Sequence, residues 1–274
     1  MEQKTAAIRQ YEEAGAKPNL EMHNSTTRFS SRVENYTRYR PGYPKEVVGL
    51  LRDECGLTAD SVMADIGSGT GKLTELFLEN GNRVWGVEPN RKMRQAGEQV
   101  LKLFPRFTSV DGTAEATTLP DRAADFIIAG QAFHWFERER CRPEFLRILK
   151  PGGWIVIVWN DRRTKATPFL VDYEKLLVDF STDYEQVNHR RTDDPKTVCE
   201  FFRNEPRLKT FPYVQVFDYE GLKGRLLSSS YAPEAGQPKH EEMLARLREI
   251  FEKHQWDGRV VFEYDTRVHY GRVE

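Results

Sequence analysis

The apolar residues of this chain fall into short blocks whose spacing switches between two rhythms. VMADI (62–66), RVWGVE (83–88), DFIIAG (125–130) and WIVIVW (154–159) are brief, nearly continuous apolar runs, the pattern of strands buried on both faces. A shorter run lies near 107–110. Between these runs the apolar spacing lengthens to three and four, which predicts helices. Such spacing occurs at Val47, Val48, Leu50 and Leu51, in KLTELFLEN (72–80), and in ERERCRPEFLRIL (137–149). The punctuation agrees. Gly81 stands where a helix C′ residue belongs, Asn90 is placed to cap the next helix, and Pro151-Gly152-Gly153 is expected to stop the helix before WIVIVW. Strands alternating with helices predict an α/β fold, a parallel sheet covered on both faces.

The flanks follow other rules. The first two dozen residues are polar and read as a tail or a frayed helix, and FSSRVENYTRYRPGYP (29–44), rich in Tyr, Arg and Pro, reads as irregular or briefly helical. Residues 161–206 are charged, with helical spacing at Leu170, Tyr173, Leu176 and Leu177, and are expected to pack over the sheet edge. Residues 208–219 alternate like a strand, with Phe211, Tyr213, Gln215 and Phe217 on one face. Met243, Leu244, Leu247, Ile250 and Phe251 mark an amphipathic helix. VVFEYDTRVHY (260–270) alternates strictly, with Val260, Phe262, Tyr264, Thr266, Val268 and Tyr270 inward, and predicts a closing antiparallel strand. The expected layout is a tail and lid segment over 1–44, a core over 45–160, an insertion over 161–206, and strands and helices over 207–274 that complete the sheet.

Composition narrows the classes. Lys+Arg 41 against Asp+Glu 42 leaves a net charge of −1 over 274 residues, which disfavours a general nucleic-acid binder. Cys55, Cys141 and Cys199 lie far apart, so neither a disulfide framework nor a metal site is expected. No apolar run reaches the roughly 18 residues of a membrane span, and the N-terminus lacks a leader's apolar stretch. A cytoplasmic protein is the expectation.

The sharpest motif is ADIGSGTGKLT, Ala64 to Thr74. A P-loop would need Gly and Ser/Thr where Ile66 and Leu73 stand. The dinucleotide fingerprint would need Gly at the position of Lys72. What remains is D-x-G-x-G-x-G on a strand-to-helix turn, followed by GVEPN with Glu88 at a strand end, by DGTAEATTLPD (111–121), and by LKPGGWIVIVW (149–159).

This series resembles the class I S-adenosylmethionine-dependent methyltransferases over residues 45–160. Its flavour is that of the trans-aconitate-methyltransferase-like, methyltransferase type 11 group, which shares the NY-x-x-YRP-x-YP lead-in and an H-W pair after the fourth strand. The resemblance implies a Rossmann-like fold, a seven-stranded, mostly parallel sheet with an antiparallel last strand. It implies S-adenosyl-L-methionine as cofactor and S-adenosyl-L-homocysteine as product. Asp65, Gly67, Ser68, Gly69 and Gly71 would then form the turn under the cofactor, with glycine amides facing its methionine part and Asp65 accepting from loop amides and the ammonium. Glu88, with Pro89 and Met93 beside it, would take the ribose diol, since a carboxylate offers two acceptor oxygens. Thr113, Ala114 and Glu115 would lie at the adenine edge, and Gly130, Gln131 and Ala132 beside methionine and ribose.

The reacting end is less determined. His134, in AGQAFHWF, is the candidate base, because imidazole titrates near neutrality; its alternative is a place in the pocket wall with Trp135. Tyr36, Tyr39, Arg40 and Tyr43 form either a lid, with Arg40 on a carboxylate, or a docking strap. Arg162 and Arg163 could also meet an acidic substrate. No [DNS]-P-P-[YFW] tetrapeptide follows the fourth strand, which disfavours nucleic-acid or protein-glutamine acceptors. The expectation is O-methylation, at carboxylate or hydroxyl, of a small molecule, with no nucleic-acid or membrane partner. N- or C-methylation, an inactive binding module and a nicotinamide-dependent oxidoreductase are the alternatives. The acceptor's identity and the oligomeric state stay open.

Overall fold

The computed structural model describes residues 32–182, 184 and 195–273. The tail reading of the first two dozen residues falls outside them, as do residues 185–194 of the expected insertion. In chain order the elements begin with α1 (Val33–Tyr39), α2 (Glu46–Cys55), β1 (Val62–Ile66), α3 (Lys72–Glu79), β2 (Arg83–Val87) and α4 (Arg91–Leu101). There follow β3 (Phe107–Val110), β4 (Ala124–Gly130), a 3₁₀ turn at Phe133–Trp135, α5 (Arg138–Ile148) and β5 (Leu149–Arg162). The later part holds α6 (Pro168–Phe180), α7 (Pro195–Phe202), β6 (Arg207–Phe217), α8 (Tyr219–Leu227), α9 (His240–His254) and β7 (Val260–Gly271).

The strands form a seven-stranded sheet in the order β3-β2-β1-β4-β5-β7-β6. β1 to β5 pair in parallel, and β7 runs antiparallel to both β5 and β6. From β1 the chain steps outward to β2 and β3, then returns to lay β4 on the other side of β1. Helices leaving β1 and β4 therefore depart to opposite faces, and a crevice opens beyond the carboxyl ends of those two strands.

The pleat explains why short apolar runs suffice. Successive side chains point to opposite faces, so Ala64, Ile127, Ile155, Ile157 and Trp159 pack with Phe145 of α5 and Phe201 and Phe202 of α7. Met63, Val84, Ile128, Val156 and Val158 pack on the other face with Leu51 of α2 and Phe77 of α3. A third cluster joins α6, α8 and α9 over the sheet: Leu170, Tyr173, Leu176, Leu177, Leu222 and Leu247 meet Phe217, Phe262 and Tyr264. The inward set of β7 is buried throughout, as its alternation predicts. That set is divided. Phe262 and Tyr264 belong to the third cluster, Val268 and Tyr270 to the second. Thr266 between them is buried and donates to Asn160 Oδ1 at 2.6 Å.

Asn90 caps α4 as expected, its side chain accepting from the amides of Lys92 and Met93. Three boundaries differ from expectation. Pro151-Gly152-Gly153 does not stop a helix: α5 ends at Ile148, and β5 takes in the three residues. Leu149 already pairs with Ala124, the register then shifts, and Gly152 turns through φ +77°. The tripeptide is a kink within a long strand, where Pro and Gly are tolerated. Secondly, β6 ends at Phe217, and Asp218 caps a helix, α8, by accepting from the Gly221 amide at 2.7 Å. Finally, β5 runs past the expected core boundary at residue 160, to Arg162. Arg162 is still in the sheet opposite Tyr264, α6 packs with α9, and α7 lies against α5.

Candidate functional site

The turn 67–71 carries β1 into α3 at the crevice. Gly67, Gly69 and Gly71 sit at φ +71°, +58° and +85°, where L-residues with a Cβ are strained. A Cβ at Gly67 would stand 2.6 Å from that of Ala132, and one at Gly71 would stand 2.6 Å from Leu101 Cδ1. The glycines let the turn lie flat on its own neighbours. Its amides are spent there too. Gly67 and Ser68 donate to the Val87 carbonyl at 2.9 and 3.1 Å, Gly71 donates to Ser68, and Gly69 donates to Glu88 Oε2 at 2.9 Å. The three glycine amides thus have acceptors within the fold, as buried donors in a tight turn require.

Two carboxylates stand below the turn. Asp65 is 1% exposed; its Oδ2 accepts from the Thr74 hydroxyl at 2.6 Å, while Oδ1 is buried without a partner. Its partner is thus a side chain of α3 rather than the loop amides that were expected. Burial, with a further push from Glu88, raises the Asp65 carboxyl to about 7. Glu88, just past β2, accepts from the amides of Gly69 and Asn90, so it ties the turn to the start of α4. Burial raises its carboxyl as well, although both amides pull the other way.

Above the turn lies a cleft of about 1280 Å³, its open mouth included. Its floor is Asp65, Gly67, Ser68, Gly69, Gly130 and Gln131, six of the residues expected to hold a cofactor. Gln131 is held at φ +55° by its amide on Val158 and its Nε2 on the Asn160 carbonyl at 3.0 Å, and its Oε1 is buried without a partner. Strained backbone of this kind persists where surrounding bonds over-determine it.

The rim brings together Tyr36, Arg40, Tyr43, His134 and Trp135. The Tyr43 hydroxyl lies 2.5 Å from where a Gly130 Cβ would be, so that glycine admits the tyrosine. Burial raises the Tyr43 phenol well above its usual range, which keeps it neutral. His134 and Trp135, in the 3₁₀ turn, lie with ring centroids 4.8 Å apart. Asn160 ties the rim to the sheet, its Nδ2 donating to the Gly42 carbonyl at 2.8 Å.

Other expected residues stand outside the lining. Ala132 supports Gly67 from below, and Met93 packs toward Gly69. Pro89 follows Glu88 and, like it, is not in the lining. Thr113 closes a turn on Ala116, Ala114 is buried in the core, and Glu115 accepts from the Glu137 amide at the start of α5. Tyr39 packs against Gly224 of α8, where an added Cβ would fall 2.0 Å from its ring. Arg163, one residue past β5, pairs with Glu263 and Asp265 and, unlike Arg162, is not in the cleft lining.

The far wall holds residues that sequence reasoning passed over: Asn160, Arg225, Ser230, Tyr231 and Tyr264. Arg225 is 6% exposed, with Nε 3.4 Å from the Tyr264 hydroxyl and Nη1 3.3 Å from Ser229 Oγ. A lone Arg between Gly224 and Leu226 carries no motif; its one signal is a charge on the apolar side of a helix. Among the described residues no metal-binding group of three His, Cys, Asp or Glu side chains occurs, and no helix is long and apolar enough to cross a membrane.

Residues 64–157 match the family model of a methyltransferase domain. An uncharacterized methyltransferase of Mycobacterium bovis is 38% identical over 134 residues, covering 49% of this chain and 52% of that one. The match thus spans about half the length of that relative. An uncharacterized methyltransferase of Geobacillus kaustophilus is 30% identical over 150 residues, covering 50% of this chain and 67% of its own. A solved structure described as a type II methyltransferase from Anaeromyxobacter dehalogenans superposes with TM-score 0.61 at 20% identity, over 85% of this chain and 98% of that one.

Proposed function

The chain belongs to the class I methyltransferases, and from that premise we propose that it transfers a methyl group from S-adenosylmethionine to an oxygen, carboxylate or hydroxyl, of a small organic molecule. One observation carries the reading. Beneath the glycine turn, Asp65 holds a buried carboxylate oxygen with no partner, on a cleft that also offers the unpartnered Gln131 Oε1 and Thr70 hydroxyl. Buried acceptors left open are costly unless a ligand completes them. A ligand bearing an ammonium and hydroxyl groups fits that set, and Glu88 at the next strand end suits a vicinal diol. When bound, the cofactor supplies a methyl group activated by its sulfonium.

The chain's own share is placement and the exclusion of water. Tyr36, Pro41 and Tyr43 form one wall, Trp135 and His134 a second, and Arg162, Thr164 and Tyr184, from the region read as an insertion, a third. This supports the reading of 36–43 as a lid and of part of 161–206 as a substrate cover. His134 faces the cleft as a proton acceptor for a hydroxyl, which must be deprotonated to react; a carboxylate needs no such help. Calorimetry with S-adenosylhomocysteine and with NAD tests the reading. Binding of the former and not the latter is expected, and binding of NAD alone overturns it. Incubation with labelled methyl donor and metabolite extract, followed by mass spectrometry, then identifies the acceptor.

A further inference from the structure

The floor of the cleft and the strap over it, residues 40–43, come from segments far apart in the chain, and one residue fastens both. Asn160, near the end of β5, is 4% exposed in the cleft lining. Its Nδ2 donates to the Gly42 carbonyl at 2.8 Å, and its Oδ1 accepts from the Thr266 hydroxyl at 2.6 Å. Its own backbone carbonyl accepts from Gln131 Nε2 at 3.0 Å.

The two fastened residues each adjoin one half of a single contact. Gly42 precedes Tyr43, Gln131 follows Gly130, and the Tyr43 hydroxyl lies 2.5 Å from where a Gly130 Cβ would stand. The side chain of Asn160 thus holds the strap's half of that contact, and its backbone holds the floor's half. On the floor, the bond from Nε2 fixes which way the Gln131 amide faces and leaves Oε1 as its acceptor on the cleft. On the strap, Gly42 is pinned between Asn160 and the Tyr213 hydroxyl, which lies 3.4 Å from where a Gly42 Cβ would stand.

Position 160 therefore needs a donor and an acceptor on one short, planar group. A primary amide supplies both; an ionised carboxylate supplies acceptors only, and would turn one of them on the Gly42 carbonyl; a protonated carboxyl again supplies one of each. Both polar atoms of the side chain are engaged within the fold, so Asn160 acts on a ligand through the residues it fastens. We infer that Asn160 is a positioning residue of the cleft: through Gly42 and Gln131 it sets Tyr43 and the Gln131 amide in register, so that a ligand meets a wall and a floor already aligned. The choice of ligand in the test rests on the methyl-transfer reading; the clamp itself does not.

The test compares Asn160→Asp and Asn160→Leu with the wild-type protein at equal pH, from pH 5.5 to 8.5. Affinity for S-adenosylhomocysteine is read by calorimetry, and hydrogen exchange of residues 36–43 is read in the ligand-free proteins. Comparison at equal pH removes the titration of Asp65, and the neighbouring Asp161 is paired with Arg267 at 3.1 Å. Near pH 8 both variants are expected to bind about tenfold or more weakly, the effect of leaving a buried carbonyl unpaired, and to exchange faster over 36–43. As pH falls, Asn160→Asp is expected to close most of the gap, because its protonated carboxyl donates to Gly42 again; Asn160→Leu is not.

A purely structural role would lower the urea midpoint of the variants and leave the affinity of the folded protein unchanged, which overturns the inference. A deficit in Asn160→Asp that is equal at every pH also overturns it. Should neither variant fold, exchange in the wild-type protein decides. S-adenosylhomocysteine is expected to slow residues 40–43 and 130–131 by similar factors, and slowing at 130–131 alone overturns the clamp. Failure of the wild-type protein to bind S-adenosylhomocysteine sinks the methyl-transfer reading. The clamp then stands on the ligand-free exchange of Asn160→Asp, and falls if that variant exchanges over 36–43 no faster than wild type near pH 8.

Discussion

At the scale of single residues, Asp65 makes the firmest prediction. Its carboxyl, raised by burial from 3.8 to about 7, favours the protonated form when no cation is near. The folded value lies above the unfolded one, so this group stabilises the ligand-free fold fully below about pH 4. That contribution is lost as pH rises toward and through 7. An ammonium-bearing ligand prefers the ionised form, so S-adenosylhomocysteine should bind more tightly, and raise the melting temperature more, at pH 8 than at pH 6. In Asp65→Asn both trends should flatten, as titration calorimetry across that range would show. His134 separates the two oxygen acceptors once the acceptor is known. With a carboxylate, turnover of His134→Ala should stay within a few-fold of wild type. With a hydroxyl, loss of a general base should lower kcat by ~10²–10⁴.

Among the elements, the pairing of α1 with α8 governs the cleft. Arg32 donates to the carbonyls of Leu227, Ser229 and Ala232, Arg40 to that of Ser228, and Gln215 to that of Tyr39. The Tyr39 ring occupies the space that a side chain at Gly224 would need. Gly224→Ala should therefore push α1 off α8 and cost about 1–3 kcal/mol, the range for overpacking. Denaturant unfolding would measure it, with faster protease cleavage near residue 40 as the local sign. These elements also mark what the sequence made legible. Buried strands announce themselves by unbroken apolar runs, and α9 by clean spacing, because burial alone selects those residues. α8 was missed because Gly221, Gly224 and Arg225 interrupt its apolar face: the first two give way to neighbouring rings, and the third serves the cavity. The fate of Pro151-Gly152-Gly153 was equally hidden, since the pairing of Leu149 with Ala124 is a contact between distant segments.

For the whole molecule, the glycine-turn end of the cleft was readable and the far wall was not. The turn, Glu88 and Gly130–Gln131 follow strand ends in a fixed topology, so their convergence comes with the sheet order. The far wall is assembled from α8, β5 and β7, and no local pattern announces that meeting. Acid should test the integrity of this assembly. His269 on β7 is 4% exposed beside Trp159 and Arg267, and burial and that arginine lower it from 6.5 to about 4. Its folded value lies below the unfolded one, so it favours the fold above about pH 6.5 and the benefit disappears as pH falls toward and past 4. Urea midpoints should drop over that interval, and less so in His269→Gln. The Asn160 junction has a consequence for how the protein is made. One side chain bonds to Gly42, near the start of the described chain, and to Thr266, on the strand synthesised last of the seven. Until that strand has left the ribosome, the segment around Gly42 has no complete anchor and Arg225 lacks Tyr264. A nascent chain therefore cannot complete this junction, or the wall beside it, before that strand emerges.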